Sequence, residues 1–350
     1  MSNSQDFPLN ISKLLPAIQI NDSSYGTDES DVVWGSTANR SFIFCLYGVF
    51  SIVGIVGNLI VTVVLLRVPT LRSNTSDFLV HLSLVDLLVC ILVIPFKIIP
   101  TTGTSAPNPG FLGELRCRVY VSQFIFWVST LTSVLCLVTV NVERFVAIVY
   151  PLKYKMVFTR QKKYLMIASC WILGGISKSF QVLLYSEDDV VGCHFLGWPS
   201  RGVQAFVGLY TFTIQLLAPF VLMITAQWKV ILALRRQVEK LTERSASSAL
   251  NPLDQRKMWQ LRASQTLIKT LLTFVITFAV CWAPNQVVFL GYSLGLDVDF
   301  ASPVYHVGNI LAVCNSCVNP IIYTLMNQPF RKGIREAFCR KSRRWVTPSV

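Results

Sequence analysis

Long apolar stretches alternate with short polar and basic ones along the chain. Five stretches carry no charged residue over 24 or more positions, at 41–66, 119–142, 202–228, 270–296 and 300–330. Two more, at 78–101 and 164–185, carry only isolated charges. A membrane-spanning helix needs about 20 apolar residues, whereas a barrel strand alternates over about 10. The pattern therefore predicts an all-α membrane protein with seven transmembrane helices.

This division predicts three parts of the chain. We expect an extracellular, disordered tail at 1–41, a seven-helix bundle at 42–326, and a short amphipathic eighth helix with a cytoplasmic tail at 327–350. The expected spans are 42–66, 77–101, 118–147, 164–185, 203–233, 264–292 and 303–326. After the last span, Phe330, Ile334 and Phe338 fall on one helical face, as in a helix lying on a membrane. An unstructured tail is the alternative.

Composition supports the membrane class and gives the orientation. Only 14% of residues are charged and mean hydropathy is +0.53, whereas soluble domains carry about 25% charged residues. On the side of the N-terminus lie seven of the 31 Lys and Arg residues, and the other 24 lie opposite. Basic loops stay in the cytoplasm, so we expect a multi-pass plasma membrane protein with the N-terminus outside. The net charge of +13 then suits contact with anionic lipids rather than nucleic acid.

The two faces also predict modification sites. Acceptor sequences for N-glycosylation lie in the tail at Asn10, Asn21 and Asn39. Of the ten cysteines, only Cys117 and Cys193 lie at the oxidising outer face, so we expect them to form a disulfide. Cys339 follows a short basic and apolar segment inside and is a candidate for palmitoylation, with a plain free thiol as the alternative.

Several polar residues lie inside the predicted spans. Asp86 lies mid-span, where an aspartate costs about 2.5–3.5 kcal/mol. It is either a hydrogen-bond acceptor between helices or a site for a cation or proton. Glu143 and Arg144 are adjacent at the inner end of the third span, and a buried pair of this kind is a weak source of stability. Prolines within spans permit static kinks or helices that switch packing, and they are Pro95, Pro219, Pro284 and Pro320.

Taken together, the motifs resemble the rhodopsin-like (class A) family of G-protein-coupled receptors, of the peptide-receptor type, over about residues 42–340. The motifs are GNLIV with Asn58, LSLVDLL with Asp86, Cys117 with Cys193, ERF at 143–145, Trp171, Pro219, FAVCWAP at 278–284 and NPIIY at 319–323. The resemblance implies a receptor that binds an extracellular ligand and activates a heterotrimeric G protein. It also implies arrestin and a receptor kinase as partners, and no catalysis.

The family pattern assigns roles to particular residues. It implies that Glu143 holds Arg144 in the resting state and that Arg144 faces the G protein after activation. The other switch residues implied are Phe278, Trp282, Pro284, Asn319, Pro320 and Tyr323. A bound sodium ion is implied at Asp86, Ser133, Asn315 and Asn319.

Five positions depart from the family pattern. Glu143 stands where an aspartate is usual and keeps the charge, and Phe145 stands where a tyrosine is usual, which is a mild change. Gln227 stands where a tyrosine is usual, which puts an active-state contact in doubt. Ser264 stands where many members carry an acid, which leaves the resting lock to Glu143. Cys117 lies two residues further from Arg144 than usual, so we expect an irregular outer turn in the third span.

This sequence lacks residues that other receptor classes use to bind their ligands, and this narrows the range of possible ligands. Phe126 replaces the aspartate of amine receptors, and Val313 replaces the lysine of visual pigments. A neuropeptide is favoured, with a lipid or another small non-amine molecule as the alternative. The outer side carries eleven acids against seven bases, which would steer a basic peptide, although a solvated charge run explains it nearly as well. The candidate pocket residues are Lys97, Gln123, Phe126, Trp282, Gln286, Phe289, Tyr305 and Asn309.

Lys97 has two readings. Turned inward, it would meet a carboxylate of the ligand; turned outward, it would extend its ammonium to the membrane surface.

Two other classes of protein have weaker support in the sequence. A transporter or channel would show broken helices in repeated halves, and an intramembrane enzyme would need a nucleophile–base or metal-ligand spacing. Neither pattern appears in the sequence, and its three histidines are dispersed.

Overall fold

A computed structural model of the chain describes residues 37–71, 74–98, 110–188, 192–247, 252–299 and 302–339. The side chains of 37–40, 74, 244–247, 252–267, 303 and 339 are not part of that description. The described helices are α1 (Thr37–Arg67), α2 (Asn74–Val93), α3 (Phe111–Leu115 and Phe124–Val149), α4 (Arg160–Lys178), α5 (Arg201–Phe212 and Ala218–Ser247), α6 (Pro252–Ser293), α7 (Pro303–Met326) and α8 (Gln328–Cys339). Seven of them are long and apolar enough to cross a membrane, which confirms the predicted fold class.

The helices form a closed bundle. Each of α1, α2 and α3 packs on the next, α5 packs on both α3 and α6, α6 packs on α7, and α7 returns to α1. The fourth helix packs on α3 at the side of the bundle. Two ends of the bundle are distinguished below: the disulfide end, which carries Cys117 and Cys193, and the arginine end, which carries Arg144.

Several helices run beyond the apolar stretches that predict them. The fifth ends at Ser247, past the end of its expected span near 233, an extension that the helical spacing of Leu234, Val238 and Leu241 predicts. The sixth begins at Pro252 rather than near 264. The first begins at Thr37, inside the segment expected to be a disordered tail. An apolar run marks only the part of a helix in lipid, whereas polar helix-forming residues extend a helix into water without a break in backbone hydrogen bonding.

Among the described residues, three π-helical turns lie within or at the end of the long helices. They lie at Ile94–Ile98 after α2, at Arg116–Val121 in α3 and at Thr213–Leu217 in α5. A π turn accommodates an additional residue without breaking the helix. Gln123 follows the turn in α3 with φ of 57°, a left-handed conformation that is uncommon for a residue other than glycine. The expected irregular outer turn of the third span is therefore present, and the longer spacing from Cys117 to Arg144 is its cause.

The bundle core is apolar and continuous from its centre to the arginine end. Its largest buried side chains include Trp282, Phe278 and Phe274 of α6 and Tyr323 of α7. Gly54 allows α1 to approach α2 closely, since a Cβ there would lie 2.2 Å from the Cys90 Sγ. In lipid, such close packing of small residues is a main source of helix association.

The eighth helix lies against α1 and α7. Phe330 is buried against Tyr323, Ile334 is half-buried, and Phe338 is exposed, so the apolar face predicted from the sequence divides between the protein and its surroundings. An exposed apolar side chain beside basic residues such as Arg331 and Arg335 is typical of a helix at a membrane surface.

Candidate functional site: a cavity at one end and a buried polar network toward the other

A β-hairpin covers part of the disulfide end. It consists of β1 (Tyr185–Asp188) and β2 (Gly192–Phe195), which pair antiparallel with Glu187 opposite Cys193. Cys193 is bonded to Cys117 at the start of α3, with the two Cα atoms 5.3 Å apart. The disulfide expected from the sequence is therefore formed, and it fastens the hairpin to the bundle.

Glu114 also holds the hairpin. Its carboxylate accepts hydrogen bonds from the Arg118 Nε at 2.5 Å, from the Glu187 backbone N–H at 2.8 Å and from the Ser186 hydroxyl at 3.3 Å. One of the acids attributed to an acidic outer surface is thus occupied by the protein itself. Burial, with repulsion from Tyr305 and Tyr292, raises the pKa of the Tyr185 hydroxyl, so this group stays neutral at the base of the hairpin.

Beneath the hairpin, the helices enclose a cavity of about 210 Å³. Four of the predicted pocket residues line it: Gln286 and Phe289 of α6, and Tyr305 and Asn309 of α7. Most of the other lining side chains are aromatic or amide-bearing, and they include Phe180, Tyr185, Phe195, Trp198, Gln215, Asn285 and Tyr292. A concave, largely apolar site with a few converging polar groups is the usual form of a ligand pocket.

A second, smaller cavity lies toward the core. Lys97, Phe126, Trp282 and Asn309 line it, and Trp127 and Asn309 line both cavities, which makes the smaller one the floor of the larger. Predicted pocket residue Gln123 lines neither cavity. Its side-chain oxygen instead accepts a hydrogen bond of 2.9 Å from the Lys97 Nζ. Lys97 thus turns inward, and its contact with a ligand carboxylate stays a prediction.

Sequence reasoning missed the second lysine of the pocket. In the sequence, Lys178 is one of the bases near the end of a predicted span, the span 164–185. In the structure, its side chain is 3% exposed and lines the larger cavity. Its Nζ donates to the Gln215 side-chain oxygen at 2.7 Å. A charged residue seven positions after Trp171 in an apolar helix was the available signal. Its direction depends on how α4 is rotated against α3 and α5.

Asp86 lies fully buried at the centre of the bundle. One carboxylate oxygen accepts a hydrogen bond from the Ser133 hydroxyl at 2.6 Å, and the other accepts one from the Asn319 amide at 2.7 Å. Asn315 is buried nearby in α7, and among the described residues it makes no hydrogen bond to Asp86. Asn58 donates to the backbone oxygen of Ser316 at 2.9 Å. Ser133 and Asn319 thus hydrogen-bond to the carboxylate, whereas Asn58 and Asn315 make no hydrogen bond to it among the described residues.

These residues fit a small hard cation. The Asp86 carboxylate has no ion-pair partner among the described residues, and the Ser133 hydroxyl oxygen lies beside it; carboxylate and neutral oxygens are the ligands that such cations prefer. The Asn58 side-chain oxygen is also buried and makes no hydrogen bond within the described part of the chain. A buried carboxylate without a described counter-ion is the arrangement a sodium ion would stabilise.

At the arginine end, Glu143 is fully buried and accepts several contacts. The Thr75 hydroxyl lies 2.9 Å from both carboxylate oxygens, the Tyr154 hydroxyl donates at 2.5 Å, and the Arg144 Nε lies 3.3 Å away. Tyr154 belongs to a short helix, Pro151–Val157, that follows α3. Glu143 therefore joins α2, α3 and this short helix, and its contact with Arg144 is only one of these bonds.

Gln227 occupies the place of the family's usual tyrosine. Its side-chain amide donates to the Asn141 side-chain oxygen at 2.5 Å, and both residues are buried. Asn141 in turn donates to the Leu137 backbone oxygen within α3, whereas the Gln227 oxygen has no hydrogen bond among the described residues. Gln227 thus ties the fifth helix to the third, one turn of α3 before Arg144.

The remaining switch candidates lie between the cavity and the arginine end. Trp282 forms the cavity floor, Phe278 lies one turn further inward, and Tyr323 packs on Phe274 with ring centres 5.0 Å apart. Pro284 and Pro320 each lie inside a continuous helix. The Trp282 indole N–H and the Tyr323 hydroxyl are buried without a hydrogen bond in the described structure. A buried polar group without a hydrogen bond is unfavourable, so these two groups favour a second packing in which they gain a partner.

Some predicted sites lie wholly or partly outside the described residues. Asn10 and Asn21 lie outside the described residues. Asn39 lies in the first turn of α1, and its side chain is not described. Cys339 ends α8, and its side chain and that of Ser264 are likewise not described. Glycosylation at the three asparagines and palmitoylation of Cys339 stay predictions.

The fold and its polar groups define a class of protein. Seven apolar helices enclose a cavity at one end, a buried carboxylate at the centre and an acid–arginine pair at the other end, which is the architecture of a seven-transmembrane receptor. Residues 57–323 match the model of the 7 transmembrane receptor (rhodopsin family). The chain belongs to this family and is a multi-pass plasma membrane protein. The family is one of receptors, which confirms the expectation of a receptor rather than an enzyme.

Curated relatives resemble most of the chain. The somatostatin receptor type 4 of Rattus norvegicus is 30% identical over 91% of this chain and 79% of its own length. The allatostatin-A receptor of Bombyx mori is 28% identical over 83% of this chain and 77% of its own. The galanin receptor type 1 of Mus musculus is 26% identical over 89% and 85%, respectively. The similarity thus covers the whole bundle rather than a single motif.

Proposed function

We propose that this chain is a peptide-activated G-protein-coupled receptor, with its disulfide end outside the cell and its arginine end in the cytoplasm. The observation that carries the proposal is the cavity beneath the disulfide-linked hairpin, with Trp282 lining its deeper part, together with the buried polar groups around Asp86 and the Glu143–Arg144 pair at the other end. The excess of basic residues at the arginine end supports this orientation.

A peptide ligand is supported by two observations. The relatives are receptors named for the peptides somatostatin, allatostatin-A and galanin. The cavity is bounded on its outer side by Tyr185 and Phe195 of the hairpin and by Trp198, an aromatic rim that suits the side chains of an inserted peptide end. A receptor for a lipid or another small non-amine molecule is the alternative that the experiment below distinguishes.

Coupling to the G protein is assigned to Arg144. In the described arrangement its Nε is buried and lies 3.3 Å from Glu143, which suits a resting state. A ligand that favours a second packing of α5 and α6 would free this guanidinium for a G protein, since a ligand shifts an equilibrium only by its differential affinity for the two states. Arrestin and a receptor kinase would use the same end of the activated receptor.

Sodium and membrane lipids are proposed as modulators. An ion at Asp86, Ser133, Asn315 and Asn319 would stabilise the resting packing, because it binds groups from three helices at once. The exposed face of α8 would lie on the inner leaflet, where a palmitoyl chain on Cys339 would add to its anchoring.

The proposal is tested by signalling in cells that express the receptor. A library of peptides, with lipids and small molecules as parallel arms, is screened by cAMP and calcium readouts. A peptide found in this way should bind the Arg144→Ala variant with unchanged affinity but elicit no G-protein response. The control is Arg160→Ala, which removes an exposed cation from the same end. Normal signalling by Arg144→Ala would refute the coupling role, and activation only by lipids would refute the peptide assignment.

A further inference from the structure

Two lysines approach the same indole ring from the cavity region. The Lys97 Nζ lies 5.7 Å from the centre of the Trp127 ring, and the Lys178 Nζ lies 5.8 Å from it. Lys97 also lies 5.5 Å from the centre of the Phe126 ring. These ammonium groups come from α4 and from the end of α2, so they are brought together only by the folded bundle.

Neither lysine has an anionic partner in the described structure. Each ammonium has three N–H donors, and among the described residues each donates one hydrogen bond, from Lys97 to Gln123 and from Lys178 to Gln215. No described carboxylate forms an ion pair with either one. Charged residues inside a membrane bundle are costly and usually mark a functional site. Two cations without a described anionic partner, one in each of two adjoining cavities, therefore require an explanation.

A neutral structural role explains the arrangement less well. If the lysines only tied helices together, their glutamine partners would be expected to have satisfied hydrogen bonds. Gln215 is fully buried and lines the cavity, yet its side-chain N–H₂ group has no hydrogen-bond partner among the described residues. The larger cavity thus offers donors from Lys178 and Gln215, the adjoining smaller one offers Lys97, and no described acid lines either cavity, which is the complement of an anion.

We propose that the part of the larger cavity formed by Trp127, Lys178 and Gln215, with Lys97 in the adjoining smaller cavity, binds a carboxylate of the ligand. The inference rests on the proposed peptide function and names the chemistry of the inserted part: a free C-terminal carboxylate or the side chain of an aspartate or glutamate. The aromatic rim of Tyr185, Phe195 and Trp198 would hold the apolar residues beside that carboxylate. An acidic outer surface would act on other, basic parts of the same peptide, so the two features do not conflict.

The experiment uses the full-length receptor in detergent or nanodiscs and a displayed random peptide library. Every selected peptide is synthesised with a free C-terminal carboxylate, with a C-terminal amide, and with each acidic side chain replaced by its amide. Competition binding is measured on the wild type and on Lys97→Gln, Lys178→Gln and Lys178→Arg. The matched control is Arg201→Gln, which removes an exposed positive charge from the same end without touching the cavity.

The expected result is that one amide replacement weakens binding by about 10- to 100-fold, the range for a lost hydrogen-bonded charge pair. Lys178→Gln should weaken the carboxylate form by a similar factor and the amide form little, whereas Lys178→Arg and Arg201→Gln should preserve the preference. If the peptide with a C-terminal amide loses affinity, the bound carboxylate is the peptide terminus. If only a peptide with a side-chain amide loses affinity, the bound carboxylate is that side chain.

Two outcomes would overturn the inference. The first is a set of peptides that bind equally well as acids and amides. The second is a carboxylate preference that Lys97→Gln and Lys178→Gln both leave unchanged while surface expression and folding stay normal. Lys178→Arg separates loss of charge from loss of folding, since it keeps the cation. Selection of no peptide at all would refute the peptide assignment itself and with it this inference.

Discussion

The hydrogen bond between Asn141 and Gln227 provides the sharpest test of the resting arrangement. It joins α3 to α5 at 2.5 Å, close to the point where Arg144 would be freed. The perturbation is Gln227→Leu, which removes the bond while keeping a side chain of similar size. The change leaves the buried Asn141 oxygen without this donor, but it also removes the Gln227 oxygen, which has no partner in the described structure, so the two effects on the free energy of unfolding oppose each other.

The magnitude follows from the membrane setting. Side-chain hydrogen bonds between membrane helices contribute about 0.6 kcal/mol on average and about 1.7 kcal/mol at most. If the bond exists only in the resting packing, its loss shifts the equilibrium toward the active packing by the same free energy. The active fraction then rises about 3- to 18-fold. Asn141→Leu should have a similar effect. The double variant should show little further increase, because the bond is already broken in each single variant.

The assay is ligand-free nucleotide exchange on a G protein by purified receptor in nanodiscs. Thr225→Val is the control, since Thr225 is exposed on the same helix and bonds only within it. Unchanged basal exchange in Gln227→Leu would refute the resting role of the bond. Effects of the two single changes that simply multiply in the double variant would show that Asn141 and Gln227 act separately.

Three further predictions follow from other contacts. Asp86→Asn should abolish the effect of sodium on agonist affinity, and sodium dependence that persists in this variant would rule out the ion site. Tyr154→Phe removes a charged hydrogen bond worth about 1.5 kcal/mol and should raise basal nucleotide exchange about tenfold; no rise would mean that Tyr154 does not favour the resting state. Gly54→Ala places a Cβ against Cys90 and should destabilise the receptor by about 1–3 kcal/mol, whereas Gly175→Ala, with open space around it, should not; equal unfolding temperatures would contradict this packing.

Hydropathy alone predicts the number of helices because lipid imposes a simple rule: a spanning segment must be apolar and must satisfy its own backbone hydrogen bonds. The disulfide between Cys117 and Cys193 is also predicted from position, because these two cysteines lie on the side expected to be oxidising. The family motifs further predicted that Ser133 and Asn319 would meet Asp86, and the structure brings them there. These predictions depend on position along the chain and on which end of a helix a residue occupies.

The rotation of each helix about its axis is a different matter. In a membrane bundle the lipid-facing and the core-facing sides are both apolar, so the sequence gives little indication of which side turns inward. Lys178 points into the cavity, Tyr154 reaches Glu143, and Gln227 meets Asn141, and each contact depends on helices that pack side by side only after folding. The sequence by itself therefore determined the spans, the order of the motifs and the family. Only the tertiary structure decided which polar groups face one another, because that depends on the close packing of neighbouring helices.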